Sequence, residues 1–425
     1  MSGSKRQRVV HYLKAQLGLL SPAAGRFEKL PGELIEAIAT NMDRPTLSTF
    51  RTTCSYVSRC TDYHFKREYH STFRTDFSTG SMRRLQKRIL EPEYAKGIKT
   101  FAVGVTPGAV AEYQKDPTYP LLGGYFKFHR DADGEVILNQ DSVTKWRDMI
   151  KLLPNCTSFQ LAGELPVNVA WPAGPLTPTD CSRIILHLIK DLQVPLLSFD
   201  VGLRWCADGR RAGPRLNTRE FLDDPIFQTA WSKLQSFTVT GTYPEDGSWP
   251  VAELILAAKN LKTLTLGTTN IEDQLMESLA LGCGSLTLEE ICFKHTAVWN
   301  VFDQKSDKTL ALVLSQRNSL KRLVFNDTVC YRTLHDILGY LKKAGGFRVL
   351  EQLSIQKCLC NEPDASLGGR IWISGEATKI KPGKSTLTKF QWSRRGGGTL
   401  QWSTRGPNGP KSVIELERLA DLGRW

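Results

Sequence analysis

A short phrase, apolar-x-x-apolar-x-apolar, returns along this chain. It is clearest as Leu234-Gln-Ser-Phe237-Thr-Val239, Leu261-Lys-Thr-Leu264-Thr-Leu266, Leu288-Glu-Glu-Ile291-Cys-Phe293, Leu320-Lys-Arg-Leu323-Val-Phe325 and Leu350-Glu-Gln-Leu353-Ser-Ile355. Weaker copies start at Ile98, Cys156, Leu196 and Leu387. The last two apolar positions of each phrase alternate with a polar one, so they point to one side of a short strand. Amphipathic segments with helical spacing lie between the phrases: Val251 to Ala258, Asp273 to Leu281, Thr309 to Gln316 and Leu334 to Lys343. One strand-plus-helix unit cannot close its own core, so neighbours must stack, giving a curved parallel-stranded solenoid with helices outside.

The clear phrases start 27, 27, 32 and 30 residues apart, the range of leucine-rich repeats and slightly longer. The fold class expected is therefore α/β, a leucine-rich-repeat-like strand-helix solenoid over residues 76–376. Its early part is less regular. A hairpin is expected over Tyr125 to Leu138, around Asp133-Gly134, and Pro- and Gly-rich loops follow at residues 163–179 and 207–218. Residues 377–425 are assigned a last strand, a capping helix at Val413 to Leu422 and a basic end. The non-apolar letters of the phrases predict an exposed strand face that contacts a partner. Thr238, Thr265, Glu290, Lys294, Arg322, Asn326, Gln352 and Gln356 are the candidates, with Ser236, Thr263, Cys292 and Ser354 beside them.

The first part of the chain has another pattern. Pro31 opens a helix in which Leu34, Ile35 and Ile38 share an apolar face, ending near Asn41; Asp43, Arg44 and Pro45 turn the chain. Leu47, Phe50, Cys54 and Val57 then recur at three- and four-residue steps as one helical stripe, and a third short helix is expected from Asp62 to Tyr69. Three helices in so few residues bury too little to stand alone, so the module at 27–75 is expected to dock on something.

The order L-P-x-E-L-I-x-x-I, a short turn, then L-x-x-F-R-x-x-C-x-x-V resembles the F-box motif, and the layout is similar to fungal members of that family. The resemblance covers residues 27 to about 75, roughly a ninth of the chain, and Val57 stands where many members carry Trp. It implies a non-catalytic subunit that binds the Skp adaptor of a cullin-RING ubiquitin ligase, with a protein substrate held downstream. It also implies that Leu30, Pro31, Ile35, Phe50, Cys54 and Val57 face or support the adaptor.

Composition narrows the alternatives. The net charge of +13 sits at the ends: residues 1–100 carry +9, residues 101–376 carry −3 and residues 377–425 carry +7. A nucleic-acid binder would carry a basic stripe across its folded body, so nucleic acid is the second reading, through the basic termini with the helical module as a partner contact. Residues 1–26 are read as a flexible basic leader rather than a mitochondrial presequence, because serine is sparse and a domain starts at once. The ten cysteines show no C-x-x-C pair, which fits reduced thiols in the cytosol or nucleus. No run of about eighteen apolar residues is present to span a membrane.

No catalytic residue, metal or cofactor is expected. Gly375 to Ser385 approaches a phosphate loop, but Thr378 stands where that loop needs glycine. Cys358-Leu-Cys360 has the wrong spacing for a redox pair or zinc knuckle. Cys292 with His295 lacks a positioned acid, and Arg394 to Trp402 is a single basic-aromatic segment.

Overall fold

The computed structural model describes residues 27–69, 71–104, 128–164, 178–190, 195–204, 218–241, 251–268, 273–294, 308–326, 328, 347–361, 370–381 and 384–394. Each phrase described above folds as a strand, because its paired apolar letters have one face to bury. In chain order the strands are β1 (Thr72–Thr75), β2 (Thr100–Val103), β3 (Ser158–Glu164), β4 (Ser198–Arg204), β5 (Ser236–Gly241), β6 (Thr263–Thr268), β7 (Glu290–Lys294), β8 (Arg322–Asn326), β9 (Gln352–Asn361), β10 (Arg370–Lys381) and β11 (Lys384–Arg394). They form one α/β sheet whose spatial order is the chain order, with β1 to β9 parallel and β9, β10 and β11 antiparallel; it is not closed into a barrel.

The register lines the phrases up. Phe73, Phe101, Phe159, Phe199, Phe237, Leu264, Ile291, Leu323 and Leu353 form one cross-strand row. Two residues on, Thr75, Val103, Leu161, Val201, Val239, Leu266, Phe293, Phe325 and Ile355 form a second, and both rows are buried. Rings stack along the rows, with Phe293 and Phe325 5.2 Å apart and Phe101 and Phe159 5.8 Å apart. Before each strand one carbonyl accepts two successive N–H groups of the next unit. Ser71 accepts from Lys99 and Thr100, Lys99 from Thr157 and Ser158, and the pattern continues to Lys321, which accepts from Glu351 and Gln352. Backbone geometry therefore repeats even where the intervening sequence does not.

Helices cover the apolar face. They are α5 (Thr79–Ile89) and α6 (Pro92–Gly97) before β2, α7 (Asp141–Lys151) before β3, α8 (Pro178–Lys190) before β4, α9 (Arg219–Leu222) and α10 (Pro225–Trp231) before β5, α11 (Val251–Ala257) before β6, α12 (Asp273–Gly282) before β7 and α13 (Lys308–Ser315) before β8. Their inward residues, among them Leu85, Trp146, Ile185, Trp231, Ile255, Leu279 and Val313, join the strand rows in one continuous core. Three of the four expected helices match α11, α12 and α13 to within a residue or so; the one over residues 334–343 lies outside the described residues, as do the helix over 413–422 and the leader. Of the expected hairpin over Tyr125 to Leu138, residues 125–127 lie outside the described residues, and residues 128–138 turn back on themselves around Asp133-Gly134. Arg130 and Val136 form a single antiparallel bridge, and Gly134 takes φ +79° in a turn where Asp131 Oδ1 accepts from Asp133 and Glu135. The Leu387 copy falls on β11, which runs antiparallel, so it is a sheet strand but not a further parallel unit.

Over the described residues 27–69 stand four helices rather than three: α1 (Gly32–Ala39), α2 (Arg44–Arg51), α3 (Ser55–Cys60) and α4 (Asp62–Tyr69). The expected stripe from Leu47 to Val57 is divided between α2 and α3. Thr52 and Thr53 turn their hydroxyls back on the carbonyls of Thr49 and Phe50, both at 2.7 Å, and Cys54 is fully extended at φ −158°. Ile35, Ala39, Leu47 and Val57 are fully buried at the centre of this group. It is tied to the rest through α4: Lys66 Nζ bonds Asp62 at 2.7 Å and lies 4.2 Å from the Tyr94 ring centroid on α6. Residues 72–75, counted above with the helical module, form the first strand of the sheet. Among the described residues no helix is long and apolar enough to cross a membrane.

Candidate functional site

Two surfaces carry the residues singled out above. The first is the outer side of the N-terminal helices. Helix α1 presents Ile35 and Ala39 inward, and this leaves Leu34 (51 % exposed) and Ile38 (39 % exposed) together on its outer side, one turn apart. Pro31 is exposed beside them and Leu30 is half-buried, its carbonyl accepting from the Tyr56 hydroxyl at 2.9 Å. Phe50 is half-buried against Phe27, ring centroids 5.5 Å apart and edge to face, and Cys54 is half-buried at the helix break. Of the six candidates, Pro31, Leu30, Phe50 and Cys54 can touch a partner. Ile35 and Val57 are enclosed and act from beneath, by holding α1 against α3. Leu34 and Ile38 belong with the outward set: the apolar face Leu34-Ile35-Ile38 is too wide for a helix that buries only one side.

Three charged side chains of α2 and α4 are paired within the group. Asp62 bonds both Arg51 at 2.8 Å and Lys66; burial alone would raise its carboxyl, but those two cations outweigh it and hold the group below the usual carboxylate range. Arg51 also lies 4.3 Å from the Phe65 ring centroid. The open side of α1 combines apolar Leu34, Ala37 and Ile38 with the exposed carboxylates of Glu33 and Glu36.

The second surface is the sheet face opposite the helices. Register places Ser158, Ser198, Ser236, Thr263, Glu290, Arg322 and Gln352 in one row and Gln160, Asp200, Thr238, Thr265, Cys292, Val324 and Ser354 in the next. Lys294, Asn326 and Gln356 continue a third row at the β7 to β9 end. The eight partner-facing candidates and the four beside them thus share one face, although Ser354, expected to be exposed, is buried there. From β3 to β6 its described floor is Ser, Thr and Gly267 with Gln160 and Asp200 among them, whereas Glu290 and Arg322 form a 2.8 Å ion pair at the other end. Gly267 sits in this floor because a Cβ there would lie 2.7 Å from the Thr240 methyl and 3.0 Å from the Lys294 carbonyl oxygen.

Two positions on this face lie in the weaker phrases. Gln160 Nε2 donates to Asp200 Oδ2 at 2.9 Å across β3 and β4, while Asp200 Oδ1 is enclosed without a hydrogen-bond donor. Burial pushes the Asp200 carboxyl above its ordinary range, against the Gln160 hydrogen bond and the charge of Lys294. Asp200 occupies the same slot of its phrase as Thr238, which was the sequence signal for it. Cys292, in the same row, is also pushed up by burial, with Glu290 adding to the effect.

The near-motifs fall on extended backbone. Gly375 to Lys381 lies in β10, and Lys384 and Ser385 open β11; Cys358 and Cys360 lie in β9 opposite Ile373 and Ile371. His295 and residues 395–402 lie outside the described residues, as do most of the two expected loops. No protein-family model matches the chain, and a search of curated proteins finds no significant match.

Proposed function

We propose that this chain is the substrate-recognition subunit of an SCF-type cullin-RING ubiquitin ligase. Its N-terminal helices act as an F-box that binds the Skp adaptor, and its repeated body is a leucine-rich-repeat-like solenoid whose open sheet face holds a protein substrate. The observation that carries this reading is the outward pair Leu34 and Ile38, flanked by exposed Pro31, on a helical group too small to bury them itself. Apolar area left in water at one edge of a small module gains most from a partner that covers it.

The geometry suits a division of labour. The adaptor would tether one end of the chain while the polar face of β3 to β9 presents hydroxyls, amides and the Glu290–Arg322 pair to a substrate. Holding the substrate beside the ubiquitin-loaded enzyme raises its effective concentration there. Chemistry is left to the rest of the complex. Burial pushes the Cys156 and Cys283 thiols up to about 12, which makes them poor nucleophiles.

Titration of the intact chain with the Skp adaptor tests the reading. Tight binding is expected, and Leu34→Ala with Ile38→Ala should cost about 2 kcal/mol, roughly thirtyfold in Kd. Leu30→Ala with Pro31→Ala should weaken binding in the same direction. Absence of binding by the folded intact chain, or binding indifferent to both double variants, would overturn it.

A further inference from the structure

Helix α5 carries Arg83, Arg84, Lys87 and Arg88, and no acidic residue occurs from Phe77 to Leu90. Its inward side is Ser81, Met82 and Leu85. Arg88 is half-buried and covers the Phe73 ring, its Cζ 5.4 Å from the centroid. Arg84 donates to Ser81 Oγ at 2.8 Å. Arg83 and Lys87 are exposed one turn apart, and Leu90, 82 % exposed, follows one turn further along the same ridge.

Among the described residues, neighbouring acids do not neutralise this ridge. Asp76 accepts from the Ser78 N–H and the Ser81 hydroxyl, Glu91 faces Lys66 on α4 at 4.0 Å, and Glu93 pairs with Lys96 at 3.1 Å. Arg83 with Lys87, and Arg84 with Arg88, are like-charge pairs at i, i+4, a spacing that destabilises a helix standing alone. The helix dipole offsets this only for the last turn. An incoming anion would relieve the remainder.

We infer that the outer ridge of α5 is a docking surface for an acidic protein segment, with carboxylates on Arg83 and Lys87 and an apolar side chain on Leu90. The inference stands apart from the ligase reading and concerns a different surface. The ridge from residue 83 to 90 is about 10 Å long, which suits a short peptide. A nucleic acid would call for a longer basic track with aromatic groups for stacking, and an anionic membrane for a broad apolar face.

The test uses the full chain and a fluorescent glutamate-rich peptide carrying one leucine, read by anisotropy. Arg83→Ala with Lys87→Ala should weaken binding about tenfold, and Leu90→Ala about threefold, with circular dichroism unchanged. Raising salt should erase the difference between the charge variant and the parent. Equal peptide affinity in parent and charge variant would overturn the proposal. So would a poly(U) oligonucleotide or a phosphatidylserine vesicle that binds the parent more tightly than the peptide does and is lost in the same variant.

Discussion

Asp200 is held by one hydrogen bond from Gln160, and its other oxygen is enclosed without a donor. Its carboxyl is raised in the folded chain, so its contribution to stability is full below the unfolded value near 4 and is lost as pH rises through the folded one. Asp200→Asn removes the buried charge while keeping an acceptor for Gln160. The variant should be more stable than the parent at pH 7, by on the order of 1 kcal/mol, and the gain should vanish near pH 3.5. Urea titrations at the two pH values check this; a variant less stable at pH 7 would show that the carboxylate has a use in the fold. Phe77 holds a different kind of tension: at φ +58° it is left-handed despite its bulk, pinned by a 2.9 Å hydrogen bond to Thr75 Oγ1 and by an edge-to-face contact with Trp146 at 5.3 Å. Trp146 itself has no hydrogen-bond acceptor for its ring N–H, and the rings of Phe77 and Phe101 meet it edge to face.

Between elements, buried amides do the joining. Gln316, at the end of α13, donates to the Cys283 carbonyl at 2.6 Å and accepts from the Leu288 N–H at 2.9 Å, so one side chain ties two successive units. Gln316→Leu keeps the volume and strands the Leu288 N–H, while the Cys283 carbonyl still accepts from the Leu286 N–H at 3.0 Å; the change should cost about 1–3 kcal/mol in a urea melt. A loss under about 1 kcal/mol would mean that the backbone finds other partners. This joint, like most of the strands, could be read from sequence only in part. The phrases from Leu234 to Leu350 announced β5 to β9 because every apolar slot is filled. β1 was silent because His70 and Thr75 stand where the phrase has apolar residues, yet Phe73 alone is enough once β2 pairs with it. Helices α5 and α7 each offer three apolar residues at i, i+3 and i+7, a stripe that becomes stable only when the sheet covers it. The outward Leu34 and Ile38 were visible as residues but not as surface, since their exposure depends on where α3 and Val57 pack. The open face was legible in its polar letters, whereas Asp200 was hidden in a weak phrase.

At the scale of the molecule, each strand pairs only with its neighbours in chain order, and the described helices follow the same sequence. Nothing closes the sheet by pairing β1 with β11. Stability in such an array is close to a sum of unit and nearest-neighbour contributions, so damage should stay local. Phe101 is the sharpest probe: fully buried in β2, it meets Phe73 at 5.9 Å, Trp146 at 6.0 Å and Phe159 at 5.8 Å, and so bridges β1, α7 and β3. Phe101→Ala should remove about 3–5 kcal/mol from those contacts. Amide hydrogen exchange should then quicken through β1, β2, β3, α5 and α7 while β6 to β8 keep their protection. Protection lost evenly from β2 to β8 would show instead that the sheet unfolds as one cooperative unit. The local outcome has a consequence for the proposed activity. A chain damaged at Phe101 would lose order next to α4 and the helices before it, and so fail at the adaptor end, while its open face at β7 to β9 still presented Lys294, Arg322 and Gln352 to a substrate.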